Sequence, residues 1–129
     1  MDFFNTMTPK EASNLNPLVL AFVGDAVQSL FVREYLVHKH DHKAGELHKL
    51  ASAHVNAHSQ AQLAEKVFGM LTEEEQSIFL RGRNGKNNHK AKNQSLVDYK
   101  KATGIEAVLG YLYLTGNKQR IKEILENSL

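Results

Sequence analysis

The chain has 129 residues, 42% of them apolar and 23% charged, which excludes a disordered chain and gives a single domain, 1–129, with core enough to fold alone. It lacks cysteine, so disulfide frameworks and thiolate metal sites are excluded, and no apolar run reaches the ~18 residues of a membrane span. The net charge is only +2, yet seven Lys/Arg and one acid lie between Arg81 and Lys101, against nine basic and thirteen acidic residues elsewhere. A basic stretch this concentrated suits a polyanion such as nucleic acid.

The opening MDFFNTMTPKEASN has neither a basic start nor a cleavage site, which reads as cytoplasmic. It is expected to be a loosely ordered lead, with Thr8 and Pro9 opening a short helical turn. Asn16 and Pro17 are an N-cap and first helical residue for a long helix to about His38, mostly buried by composition. The chain is expected to be organised around this helix. One acid, Asp25, interrupts its apolar run, and Ala21, Phe22, Gln28 and Ser29 share that residue's face at helical spacing. Gly24 weakens the helix by roughly 1 kcal/mol relative to alanine, a cost that is understandable if another backbone or a ligand comes close.

Lys43 to Met70 is helical by period, with Leu47, Leu50, Ala51, Val55, His58, Gln62 and Val67 on one side and a break between Ser52 and Asn56. Thr72 with Glu75 is a capping box for a helix to about Arg81. GRNGKNNHKAKNQ, residues 82–94, has no apolar period and is a loop. Ser95 to Leu114 is one helix or a pair, Gly116 is a stop signal, and Asn117 to Ser128 is amphipathic with Ile121, Ile124 and Leu125 inward. The pattern predicts an all-α fold.

Glu106 repeats the oddity of Asp25: one acid in an apolar helical run, flanked at helical spacing by Ala102, Thr103 and Gly110. If the two helices cross at their small residues, the carboxylates converge and must be protonated or bridged by a cation. Oxygen ligands alone favour Mg²⁺, with Mn²⁺ as a substitute, and such a site beside a basic loop suits phosphodiester hydrolysis. From spacing alone the two acids are as readily buried groups satisfied by backbone or by a basic partner. For the basic loop the lesser alternative is a solvated connector whose charges aid solubility. His38, His40 and His42 alternate, and His54 and His58 lie a turn apart, but no acid or cysteine completes a zinc site. Tyr111 and Tyr113 read as core or interface.

LAFVGDAVQSLFVREYL resembles the signature helix of the ribonuclease III catalytic domain, and TGIEAVLGYLYL resembles its second acidic motif. LHKLASAHVNAHSQAQ, LTEEEQSIFLRGRNGK and the Lys92–Asn93 pair are similar to the small Mini-ribonuclease III branch, which lacks the appended RNA-binding domain. The resemblance runs from about Leu15 to Leu114.

The resemblance implies a ribonuclease III-like helical homodimer that cleaves double-stranded RNA, with 23S ribosomal RNA precursor as its expected target; whether an accessory ribosomal protein is a further partner is left open. On it, Asp25 and Glu106 fall on catalytic, metal-associated acids. Ala21 and Thr103 stand where full-length ribonuclease III has two more acids, which leaves the number of metals open. Phe22 falls where the family inserts an aromatic ring into the partner subunit. Arg81, Arg83, Lys86, Lys90 and Lys92 are the expected grip on RNA, read largely by its backbone and shape. A non-catalytic RNA-binding or ribosome-associated module on the same fold is the alternative.

Overall fold

The computed structural model describes residues 2–39, 43–85 and 95–129, which form helices with no strand among them. In order they are α1 (Pro9–Ser13), α2 (Pro17–Lys39), α3 (Ala44–His54), α4 (Ala57–Val67), α5 (Glu73–Arg83), α6 (Leu96–Leu114) and α7 (Lys118–Leu125). Short 3-10 turns follow α4 and α7. None of the described helices is long and apolar enough to cross a membrane.

Local chemistry places the helix starts. The Leu18 amide donates to Asn16 Oδ1 at 2.8 Å, ahead of Pro17, and Thr8 with Glu11 and Thr72 with Glu75 form reciprocal capping boxes. Glu75 is buried and does more than cap. Burial pushes its pKa up, but the Arg120 guanidinium and the Thr72 amide outweigh that and hold it below the usual carboxylate value. Arg120 also donates to the Met70 carbonyl, so one side chain ties α7 to the start of α5.

The axis of the fold is α6 rather than α2. Every residue from Ala102 to Leu112 is buried except Glu106, and α2, α4, α5, α7 and α1 all pack on this helix. A helix apolar all round finds its place at the centre, and Ala102, Thr103, Gly104 and Gly110 are small enough to admit neighbours on several sides. It is a single helix, and Gly116, at φ +79°, turns the chain beyond its end.

Two expectations change. The helix α2 is long but not mostly buried: Leu20, Ala21, Gly24, Gln28, Val32 and Leu36 are buried, while Val19, Phe22, Leu30 and Val37 remain open on the other side. The inward face of α4 is Ala57, Gln60, Ala61, Leu63, Ala64 and Val67, with His58 and Gln62 outside. The break at Val55 and Asn56 resets the helical phase, so a periodicity counted through it points the wrong way. The α7 stripe agrees with the sequence pattern, with Ile121, Ile124 and Leu125 each burying a side chain worth ~2 kcal/mol.

Candidate active site

The helices α2 and α6 cross backbone against backbone. A Cβ built on Gly24 would stand 1.7 Å from the Glu106 carbonyl oxygen, and one on Gly110 would stand 1.9 Å from the Leu20 carbonyl oxygen. Glycine is needed at both positions because no side-chain carbon fits between the two backbones. Asp25 follows Gly24, and Glu106 lies one turn before Gly110, so the crossing brings the two carboxyl groups together.

Their environments differ. Asp25 is exposed, contrary to the buried position its apolar run suggests, because it sits at the edge of the α2 face turned to α6. Glu106 is half-buried and carries the electrostatic cost: burial first, then the hydrogen bond to Asp25 and the charge of Asp25, push its pKa up to about 9. A hydrogen bond from the Gln60 side chain acts in the opposite direction. At neutral pH Glu106 therefore holds a proton and donates it toward Asp25. Among the described residues no Lys or Arg pairs with either acid.

The fit to a divalent cation rests on this donor set. A pair of carboxyl groups in which the charge of Asp25 opposes ionisation of Glu106, and which has no basic neighbour among the described residues, matches a hard cation with oxygen ligands. Ala21 and the Thr103 hydroxyl, which donates to the Tyr99 carbonyl at 3.0 Å within its own helix, offer no further carboxylate. No group of three or more His, Cys, Asp or Glu forms a metal cluster among the described residues, so the pair would be completed by water or substrate oxygens.

The rest of the site is set by α5 and α4. Gly82 packs on Gly104 and Ala107 of α6, which brings the end of α5 alongside the turn that carries Glu106. Gly85 lies against Leu18 of α2, at the head of the basic stretch, and α6 begins after Ser95. Lys86, Lys90 and Lys92 lie outside the described residues, as do His40 and His42. Arg83 donates through Nε to Asn84 at 3.2 Å, and Arg81 donates to the Ser13 and Leu15 carbonyls at 2.8 and 3.2 Å. Arg81 thus fastens the link between α1 and α2, using two of the guanidinium's five N–H groups among the described residues. Lys101 is ion-paired with Glu65, and His58 Nδ1 lies 3.0 Å from Asp98 Oδ2, so neither His58 nor Lys101 joins the acids.

Sequence reasoning missed Gln60. Its signal is a polar residue on the apolar stripe of α4, hidden by the phase error across the break at Asn56.

A family model described as the Ribonuclease III domain matches residues 18–117. Mini-ribonuclease 3 of Clostridium tetani is 43% identical over 120 residues, 92% of this chain and 80% of that protein. Mini-ribonuclease 3 of Brevibacillus brevis is 46% identical over 113 residues, 88% of this chain and 84% of that one. The crystal structure of a Fusobacterium nucleatum protein superposes with a TM-score of 0.80 at 33% identity, covering 88% of this chain and 90% of the other.

Proposed function

Since the chain belongs to the ribonuclease III domain family, we propose that Asp25 and Glu106 are the catalytic, metal-holding acids of an endoribonuclease that hydrolyses double-stranded RNA. The observation that carries this is the meeting of an exposed Asp25 with a proton-holding Glu106 at the glycine crossing. Mg²⁺ is the cation the oxygen donors suit, with Mn²⁺ as substitute; when bound it acidifies water and offsets charge on the leaving oxygen. Glu106 must give up its proton to serve, and Gln60 lowers that cost. Asp25, at the open edge, is the acid positioned toward substrate. On the resemblance to the Mini-ribonuclease III branch, the cytoplasmic target is 23S ribosomal RNA precursor, with room for an accessory ribosomal protein. Incubating a long RNA duplex with the protein, with and without Mg²⁺, tests the reading; a duplex bound but left whole in Mg²⁺ would make the chain a binding module.

The exposed face of α2 supports a homodimer. Phe22 is 81% exposed, Leu30 65% and Val37 64%, with Val19 on the same side, more apolar surface than a lone helix face usually leaves in water. Phe22→Ala should weaken association by ~2 kcal/mol or more, about thirtyfold in dissociation constant, and lower cleavage with it. Sedimentation checks this, and a monomeric wild type at micromolar concentration would refute the dimer.

Arg83, Lys86, Lys90 and Lys92 make the grip on RNA phosphates, with Arg81 behind them. Replacing Lys86, Lys90 and Lys92 by alanine should weaken duplex binding and reduce its log–log salt slope by about 0.9 for each phosphate no longer neutralised, on the duplex-DNA scale. Thermal stability should hardly change. Wild-type binding and cleavage across a salt titration would move the grip elsewhere.

A further inference from the structure

Two carboxamides are buried between α2, α4 and α6. Gln28 is 1% exposed and Gln60 5%, and Gln60 Nε2 donates to Gln28 Oε1 at 2.7 Å. Burying an amide costs free energy unless its donors and acceptors are met, and each carboxamide has two N–H groups and an oxygen to satisfy. Packing alone would be served as well by leucine at both positions. The bond between them uses one of the two Gln60 N–H groups, and the Gln60 side chain also acts on Glu106, favouring its ionised form. Gln28 lies three residues beyond Asp25 on the inward side of α2, so the amide pair stands directly behind the two acids.

We propose that Gln60, with its amide oriented by Gln28, is a positioning residue that presents Glu106 to the divalent cation. An ionised carboxylate accepts hydrogen bonds and cannot donate them, so an N–H aimed at Glu106 steadies the form that binds a cation. Gln28 contributes by accepting the second Gln60 N–H, which holds the amide with its nitrogen toward Glu106. Neither glutamine touches the cation. Partners of this kind orient a ligand and raise its affinity.

The inference rests on Asp25 and Glu106 as the metal-holding pair, and the test separates the two claims. The full chain is titrated with Mg²⁺ or Mn²⁺ in the absence of RNA, following the thermal shift, and cleavage is measured over the same concentrations. Gln60→Leu should raise the half-saturating cation concentration roughly tenfold or more, the usual scale for removing such a partner. Cleavage should fall at limiting cation and recover as the cation is raised, so the loss appears in the metal requirement rather than in the limiting rate. A purely structural role would lower the melting temperature without moving the cation midpoint. Gln28→Leu should shift the midpoint in the same direction but less. The double variant should match Gln60→Leu alone, because the two amides act in series. Since it removes both partners it leaves no orphaned amide, which keeps the test open if Gln60→Leu does not fold. A folded Gln60→Leu or double variant with the wild-type cation midpoint would overturn the proposal while leaving the acids' assignment intact. No cation response in the wild type would overturn both.

Discussion

Gly110→Ala is expected to unfold the protein or cost about 3 kcal/mol or more, beyond the ordinary range for a single added methyl group. The new Cβ would stand 1.9 Å from the Leu20 carbonyl oxygen, and in Gly24→Ala it would stand 1.7 Å from that of Glu106. Both obstacles are backbone, so no rotamer change relieves them, and α2 must move away from α6. Any variant that remains folded should lose cleavage, because separating the helices separates Asp25 from Glu106. Gly45→Ala in α3 is the control: its Cβ meets nothing within 4 Å, so stability should hold or rise slightly. Urea denaturation followed by circular dichroism measures all three. A Gly110→Ala protein as stable as wild type would mean that the helices do not cross this closely.

Glu106→Gln and Asp25→Asn should each reduce duplex cleavage by roughly 10²-fold or more, the scale seen when a pre-organised charge-stabilising group is removed. The fold should survive, and for Glu106→Gln the pH dependence gives a second readout. The unfolded chain ionises Glu106 near the ordinary value of 4.5, whereas the folded chain keeps the proton up to about 9. Between these values the folded state binds more protons, so in a chelator this group makes stability fall as pH rises. Below that window it contributes no pH dependence. Glu106→Gln should flatten the decline and be the more stable protein at pH 8 without divalent ions. Adding Mg²⁺ to the wild type should raise its melting temperature more at pH 8 than at pH 5.5, because the cation competes with that proton. Full cleavage by either variant would remove these acids from the chemistry, and an unchanged pH slope in Glu106→Gln would show that the burial of Glu106 does not govern it.

The helices were legible because their signals are local. Asn16 before Pro17, Thr72 with Glu75 and the glycine at 116 satisfy or redirect backbone groups within a few residues, whatever the rest of the chain does. The two acids were legible as well, since each is the single carboxylate in an apolar helical run, although only Glu106 carries a burial cost. The resemblance of the surrounding motifs added the chemistry, and the family match over residues 18–117 bears out the fold and the activity class.

Other features depended on which face met which neighbour. The sequence by itself determined the helical class and most helix starts, the small residues beside Asp25 and Glu106, and the basic stretch after α5. Only the tertiary structure decided that α6 rather than α2 is the axis, and that Phe22, Leu30 and Val37 stay exposed. It also decided that Glu106 bears the burial while Asp25 faces water, and that Gln60 stands behind them. Helical period says which residues share a side but not what that side meets. A two-residue break between α3 and α4 was enough to turn Gln60 inward and Gln62 out, because each residue added or removed rotates a helix face by about 100°.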